Sequence, residues 1–191
     1  MRAAIVTGIF ALIAAFVVAV VPDILIGVRN REPEDPFKMI PTVTASAQVS
    51  KHQDCEGDWF TYEPEKAIDG KDVTTWRVPG DGQGSWIELD YTRPVKVSTI
   101  GIIPGHDKIN NVCDIDSFTS LHVVRQVSIE FSDGTDQSKQ FDRNRSMQWV
   151  RLDRPKTTES VRIKIKDTYP QRPRRGNDEI NETAISEIEI R

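Results

Sequence analysis

An all-β fold is predicted, on three observations. Short runs in which apolar and polar residues alternate recur through residues 42–191; turn-forming clusters punctuate them; and no ten-residue segment there carries a helical stripe. Many short strands at such spacing make a β-sandwich or barrel. The sequence shows no internal repeat. With 38% hydrophobic and 28% charged residues, the composition excludes collagen-like, low-complexity and multi-span membrane chains. The 25 Lys+Arg are outnumbered by 29 Asp+Glu, which argues against a general nucleic-acid binder.

The first element is apolar. Ala3 to Val21 is interrupted only by Thr7 and Gly8, and Ile24 to Val28 resumes the run after Pro22-Asp23. A helix rising ~1.5 Å per residue spans roughly 28 Å over that stretch, close to a bilayer core. Residues 1–28 therefore read as one transmembrane anchor, the competing reading being a cleaved signal sequence. Ala45-Ser46-Ala47 has the small-residue cleavage pattern but lies too far downstream. Residues 29–41, with three prolines and alternating charge, read as a linker. The flanking positive groups, the amino terminus and Arg2 before the segment and Arg29, Arg31 and Lys38 after it, are nearly balanced, so charge alone does not orient the anchor. Two cysteines and a secreted-type β pattern place the domain outside.

Within residues 42–191 the strands are expected at Val43–Val49, Trp86–Tyr91, Val95–Ile103, Val123–Phe131, Gln148–Leu152, Ser160–Lys166 and Ile185–Ile190. Turns fall at Asp69-Gly70, Pro79-Gly80-Asp81-Gly82, Pro104-Gly105 and Asp133-Gly134. In Val161-Arg162-Ile163-Lys164-Ile165-Lys166 the apolar members face a core and the bases face water, as in Val127-Ser128-Ile129-Glu130-Phe131. Those are half-buried antiparallel strands. The alternation breaks at Ser186-Glu187, as for a bulge or a tethered carboxylate.

These residues carry a resemblance. Ala67-Ile68-Asp69-Gly70-Lys71-Asp72-Val73-Thr74-Thr75-Trp76, then Gly84-Ser85-Trp86-Ile87-Glu88-Leu89-Asp90, Val97 to Ile102, Ser132-Asp133-Gly134, Val161-Arg162-Ile163 and Ala184-Ile185-Ser186-Glu187-Ile188 resemble, in order and spacing, a discoidin-like domain. That family is also called the coagulation-factor type C domain; it belongs to the galactose-binding-like folds and includes carbohydrate-binding modules. Thr75-Trp76-Arg77 with Pro79-Gly80-Asp81-Gly82, and later Ile103-Pro104-Gly105-His106-Asp107-Lys108, are similar to the subgroup named for the translocation domain of an NAD glycohydrolase. The resemblance implies a jelly-roll β-sandwich whose loops at one end bind a ligand, without catalysis.

It also implies a structural cation, calcium by preference, held by Asp69, the Lys71 carbonyl, Thr74 and Glu187. The competing reading of Asp69-Gly70 is a metal-free turn, and Lys71 occupies a position often acidic in the family. The resembled fold would gather Arg77, His106, Lys108 and the run Arg172-Pro173-Arg174-Arg175 at the ligand end, making a polar, locally basic pocket for a glycan, phosphate or acidic protein. A solvated loop is the alternative for the arginine run.

Trp59, Phe60 and Tyr62 cluster in the loop after the first strand. Trp59 and Tyr62 either present faces to a sugar ring or partner, or plug the end of the sandwich; Trp76, Trp86 and Trp149 are expected in the core. Cys55 and Cys113, both in polar loop context, form one disulfide in an oxidising compartment, stabilising the fold by ~3–5 kcal/mol. The absence of a CxxC pair and the presence of only His52, His106 and His122 argue against a metal role for them. Asn144-Arg145-Ser146 and Asn181-Glu182-Thr183 match the glycosylation acceptor pattern.

No GxSxG, HExxH, P-loop or dinucleotide fingerprint is present. The acid pairs Glu63/Glu65 and Glu179/Glu182 have no fixed separation, so the chain is not expected to be an enzyme. The sequence thus predicts a membrane-anchored, extracytoplasmic binding module for a carbohydrate or similar surface ligand. Its rival is a protein-interaction or structural subunit of a cell-envelope complex.

Overall fold

Two long bent strands organise the domain. The computed structural model describes residues 33, 35, 36, 39–172 and 180–191. The expected anchor, most of the linker, and Arg174 lie outside the described residues. In chain order the elements are β1 (Thr42–Ala45), β2 (His52–Gln53), β3 (Trp59–Phe60), a 3-10 turn (Pro64–Ala67), β4 (Trp76–Pro79), β5 (Trp86–Ile103), β6 (Ile109–Asn110) and β7 (Ile115–Asp116). There follow a one-turn helix α1 (Ser117–Ser120), β8 (His122–Phe131), β9 (Asp136–Gln140), β10 (Gln148–Tyr169), β11 (Glu182–Ile185) and β12 (Glu187–Ile190).

Hydrogen bonds link β1-β5-β10-β8-β11-β4 into one curled sheet, with β12 added to β5 and β9 to β8. All these pairings are antiparallel except β11 on β8, which is parallel. The two expected strands Trp86–Tyr91 and Val95–Ile103 are the single strand β5, and Gln148–Leu152 and Ser160–Lys166 are the single strand β10. They pair along their lengths, Trp86–Asp90 with Lys164–Ser160 and Thr99–Ile102 with Arg151–Gln148, and the register shifts in between. Pro94 and Pro155 sit in those shifts, where a residue without an N–H is tolerated and a bulge bends the strand. The bends let the same two strands serve both parts of the curled sheet.

The inner face carries the alternation read from the sequence. Val127 and Ile129 of β8, and Val161, Ile163 and Ile165 of β10, are buried with Trp76, Ile87, Leu89, Ile100 and Ile188. Met39, from the expected linker, also packs on this core. Trp86 and Trp149 depart from expectation: each lies under an arginine on the outer face, Arg162 at 4.5 Å and Arg191 at 4.2 Å, and Trp149 is 37% exposed. Strand parity puts both on the face opposite the core, where an arginine covers the ring. β9 was invisible to alternation because Asp136-Gln137-Ser138-Lys139-Gln140 buries no apolar residue. The expected strand Ile185–Ile190 divides at Ser186, since β11 joins β4 and β8 whereas β12 joins β5.

Candidate functional site

The loops before β4 and after β5, together with two small ribbons, enclose a cavity of about 370 Å³ at one end of the sheet. The ribbons, β2–β3 and β6–β7, stand outside the main sheet. Cys55 and Cys113 join them in a disulfide, with Cα atoms 5.8 Å apart. The cavity lining includes Asp54, Trp59, Tyr62, Arg77, His106 and Lys108.

Arg77 is the centre of the floor. Strand parity sets it opposite Trp76 and Val78, on the face that the loops cover, and it is only 4% exposed. Its Nη1 donates to Glu182 Oε2 at 3.1 Å, and its guanidinium lies 4.1 Å from the Tyr62 ring centre. Its Nη2 lies 2.8 Å from His106 Nδ1. Because a guanidinium can only donate, Nδ1 must accept, so the His106 proton is on Nε2, which donates to the Val73 carbonyl at 2.9 Å. His106 is 3% exposed; burial, and then the Arg77 charge, push its pKa down to about 3. It is a neutral structural donor and acceptor, not an exposed acid or base.

The aromatic cluster divides. Tyr62 is 8% exposed and closes the end of the sandwich, edge-on to His52 at 5.2 Å, whereas Trp59 is 57% exposed on the ribbon. Burial pushes the Tyr62 hydroxyl pKa up. The Lys108 ammonium lies 3.7 Å from the centre of the Phe60 ring, and burial lowers its pKa. Asp54, Asp58 and Glu56 act in the opposite direction on Lys108, and Glu182 neutralises Arg77. Lys66, Arg77 and Lys108 are thus the bases that line the cavity and Asp54 the acid, with Glu182 offsetting Arg77. His52, Asp54 and Glu182 were not expected here; His52 Nε2 lies 3.3 Å from Glu182 Oε1. Their sequence signal is slight: only Glu182, a carboxylate beside the buried run Thr183-Ala184-Ile185, stands out.

The four residues of the implied cation site also converge. Thr74 Oγ1 donates to Asp69 Oδ1 at 2.8 Å and lies 3.0 Å from the Lys71 carbonyl, while Gly70 N–H donates to Glu187 Oε2 at 3.1 Å. Gly70, at φ 75°, makes the turn that allows this. Burial, with Asp69 adding repulsion, pushes the Glu187 carboxyl up to about 7. A half-buried carboxylate beside a second one, with a carbonyl and a hydroxyl at hand, is a donor set that fits a hard cation. Asp54, Glu56 and Cys113 also cluster, but Cys113 is spent in the disulfide.

The curled all-β sheet with its loop-end pocket is that of a discoidin-like domain. The chain belongs to the NAD glycohydrolase translocation F5/8 type C domain family, whose model matches residues 38–191. No curated protein matches it. Among solved structures it is similar to the family 32 carbohydrate-binding module of C. perfringens NanJ in complex with galactose, at 19% identity and a TM-score of 0.53, covering 80% of this chain and 96% of that one. It is also similar to the family 32 module of AlyQ in complex with 4,5-unsaturated mannuronic acid, at 17% identity and a TM-score of 0.51, covering 80% and 95%. A third is the mycobacterial arabinofuranosyltransferase AftD, at 21% identity and a TM-score of 0.53, covering 78% of this chain and 11% of that one.

Proposed function

We propose that the chain is a non-catalytic carbohydrate-binding module, anchored in the cell membrane by residues 1–28 and displayed on the extracytoplasmic side. The observation that carries this reading is the pocket itself: an exposed Trp59, with the Lys51 ammonium 4.6 Å from its ring centre, at a cavity whose floor is the buried Arg77–His106 pair. A sugar ring offers an apolar face to an aromatic side chain and hydroxyls to charged or polar ones. Asp54 lines the pocket, while Glu182 is held by Arg77 and His52, which does not suit the two free carboxylates of a glycosidase. Asp69, the Lys71 carbonyl, Thr74 and Glu187 would hold a calcium ion, whose charge would keep Glu187 ionised.

The test is a glycan array probed with the full chain, and with Trp59→Ala and Arg77→Ala. The parent is expected to retain a defined set of glycans. Trp59→Ala should lose them while staying within about 0.5 kcal/mol of parent stability, as exposed substitutions do. Arg77→Ala should instead cost about 3–5 kcal/mol, because it leaves Glu182 without its cation. A parent that retains no glycan, or a Trp59→Ala chain that retains them all, would reject the reading.

The second reading, a protein-interaction subunit of an envelope complex, is favoured by one observation. Trp59, Val73, Ile109 and Val112, all on the loops that bear the pocket, are exposed apolar side chains. An empty glycan array, with a protein partner lost on substitution of Ile109 and Val112, would support it.

A further inference from the structure

We infer that the Cys55–Cys113 disulfide is a clasp on the pocket rather than on the sheet, and that its reduction switches ligand binding off while the sheet stays folded. The second half rests on the carbohydrate-binding reading above. Three features of the structure lead to it.

First, the bond joins two walls. Asp54, Trp59 and Phe60 come from the β2–β3 ribbon, and Lys108, Asn110 and Ile115 come from the β6–β7 ribbon or its approach. None of these residues belongs to the buried apolar core. The cavity exists only while the two walls stand together.

Second, each ribbon is braced at its base and not at its tip. Arg145 grips Asp107 at 3.0 Å and Asp116 at 2.6 Å, one at each end of the β6–β7 segment, and Ser117 N–H donates to the Lys108 carbonyl. The base of the β2–β3 ribbon is held by His52 on Glu182 and Tyr62. Beside the disulfide, the ribbons interact through a 3.4 Å hydrogen bond from Asn110 to Asp54, through Lys108 over Phe60, and through the attraction of Asp54, Asp58 and Glu56 for Lys108. A long hydrogen bond and a cation–π contact are individually weak in water.

Third, the bond is open to attack, since Cys55 is exposed and Cys113 half-buried. Exposed disulfides are the ones that exchange readily. A thiolate of a dithiol reductant attacks Cys55 Sγ, the S–S bond breaks, and Cys113 leaves as a thiolate that takes up a proton. The second thiol of the reductant then displaces Cys55 from the mixed disulfide. Two electrons pass to the protein, which gains two thiols, and the reductant ends as its own disulfide. The freed ribbons part about their braced bases.

The experiment is amide hydrogen exchange by mass spectrometry on the full chain in mild detergent, oxidised and after dithiothreitol. Retention on galactose-agarose is measured in parallel. Reduction should speed exchange in residues 51–61 and 108–115 by about tenfold or more, leaving β5, β8 and β10 within about twofold of the oxidised chain. The double variant Cys55→Ser/Cys113→Ser should show the same pattern without reductant. Retention should be lost on reduction and regained on reoxidation with oxidised glutathione. Unchanged exchange in both ribbons, or faster exchange throughout the sheet, would overturn the clasp. Opened ribbons with undiminished retention would overturn the switch. An oxidised chain retained neither on galactose-agarose nor by any glycan of the array would count against the carbohydrate reading, while the exchange pattern still decides the clasp.

Discussion

Arg77 and His106 make the floor of the pocket together. Arg77 Nη2 donates a hydrogen bond that His106 Nδ1 accepts, and the single ring N–H, on Nε2, donates to the Val73 carbonyl, while the buried Arg77 Nε has no hydrogen-bond partner among the described residues. A second proton on His106 would have to face the Arg77 guanidinium in a buried site, which is why its pKa falls to about 3. The sign of the consequence follows from linkage. In the unfolded chain His106 protonates near pH 6.5, while in the folded chain it stays neutral until about pH 3. Its contribution to stability is therefore complete above pH 6.5 and is lost as pH falls toward 3, at a slope approaching 1.4 kcal/mol per pH unit. Urea titrations between pH 7 and pH 4 should show this loss, and His106→Gln should flatten it. An equal slope in the variant would mean that other groups carry the acid response.

At the scale of elements, the loop from Ile68 to β4 is tied to the start of β12 through Glu187. The Glu187 carboxyl is pushed up to about 7 by burial and by Asp69. Without a cation, Glu187 supports the fold below pH 4.5, and that support is lost as pH rises through about 7. A calcium ion reverses this, because it favours the ionised carboxylate. Calcium should therefore raise the melting temperature at pH 8 and do much less at pH 5, with a chelator removing the effect. No calcium effect at pH 8 would leave Asp69-Gly70 as a metal-free turn. The break in alternation at Ser186-Glu187 had signalled a bulge or a tethered carboxylate; the chain passes there from β11 to β12, and Glu187 accepts a hydrogen bond from Gly70 N–H. The bends in β5 and β10 read in the sequence only as gaps between expected strands, at residues 92–94 and 153–159, because local pattern does not reveal pairing across a bulge.

At the scale of the whole molecule, the proposed role requires the domain to face outward. Protease added to intact cells that express the full chain should digest residues 42–191 and leave an anchor-sized fragment in the membrane. Full protection until lysis would place the domain inside, in a reducing compartment where the Cys55–Cys113 bond would not persist. Such a result would remove the surface-glycan reading and the redox clasp together. Mass of the protected fragment also tells an uncleaved anchor from a cleaved signal.

The alternation in residues 42–191 by itself determined that the domain is all-β and that Val127, Ile129, Val161, Ile163 and Ile165 enter its core, because parity along a strand is a local property, whereas Trp86 and Trp149 fall on the outer face. The cysteine count and the polar setting of Cys55 and Cys113 likewise pointed to their pairing. Only the tertiary structure decided that Tyr62 closes the sandwich while Trp59 stays open, and that Arg77 is buried against Glu182. It also decided which acids face the bases of the pocket, Glu182 beside Arg77 and Asp54 near Lys108, and that the disulfide spans its two walls. Burial and charge pairing arise between segments far apart in the chain, such as Arg77 with Glu182 and Gly70 with Glu187, and no local pattern records which of them meet.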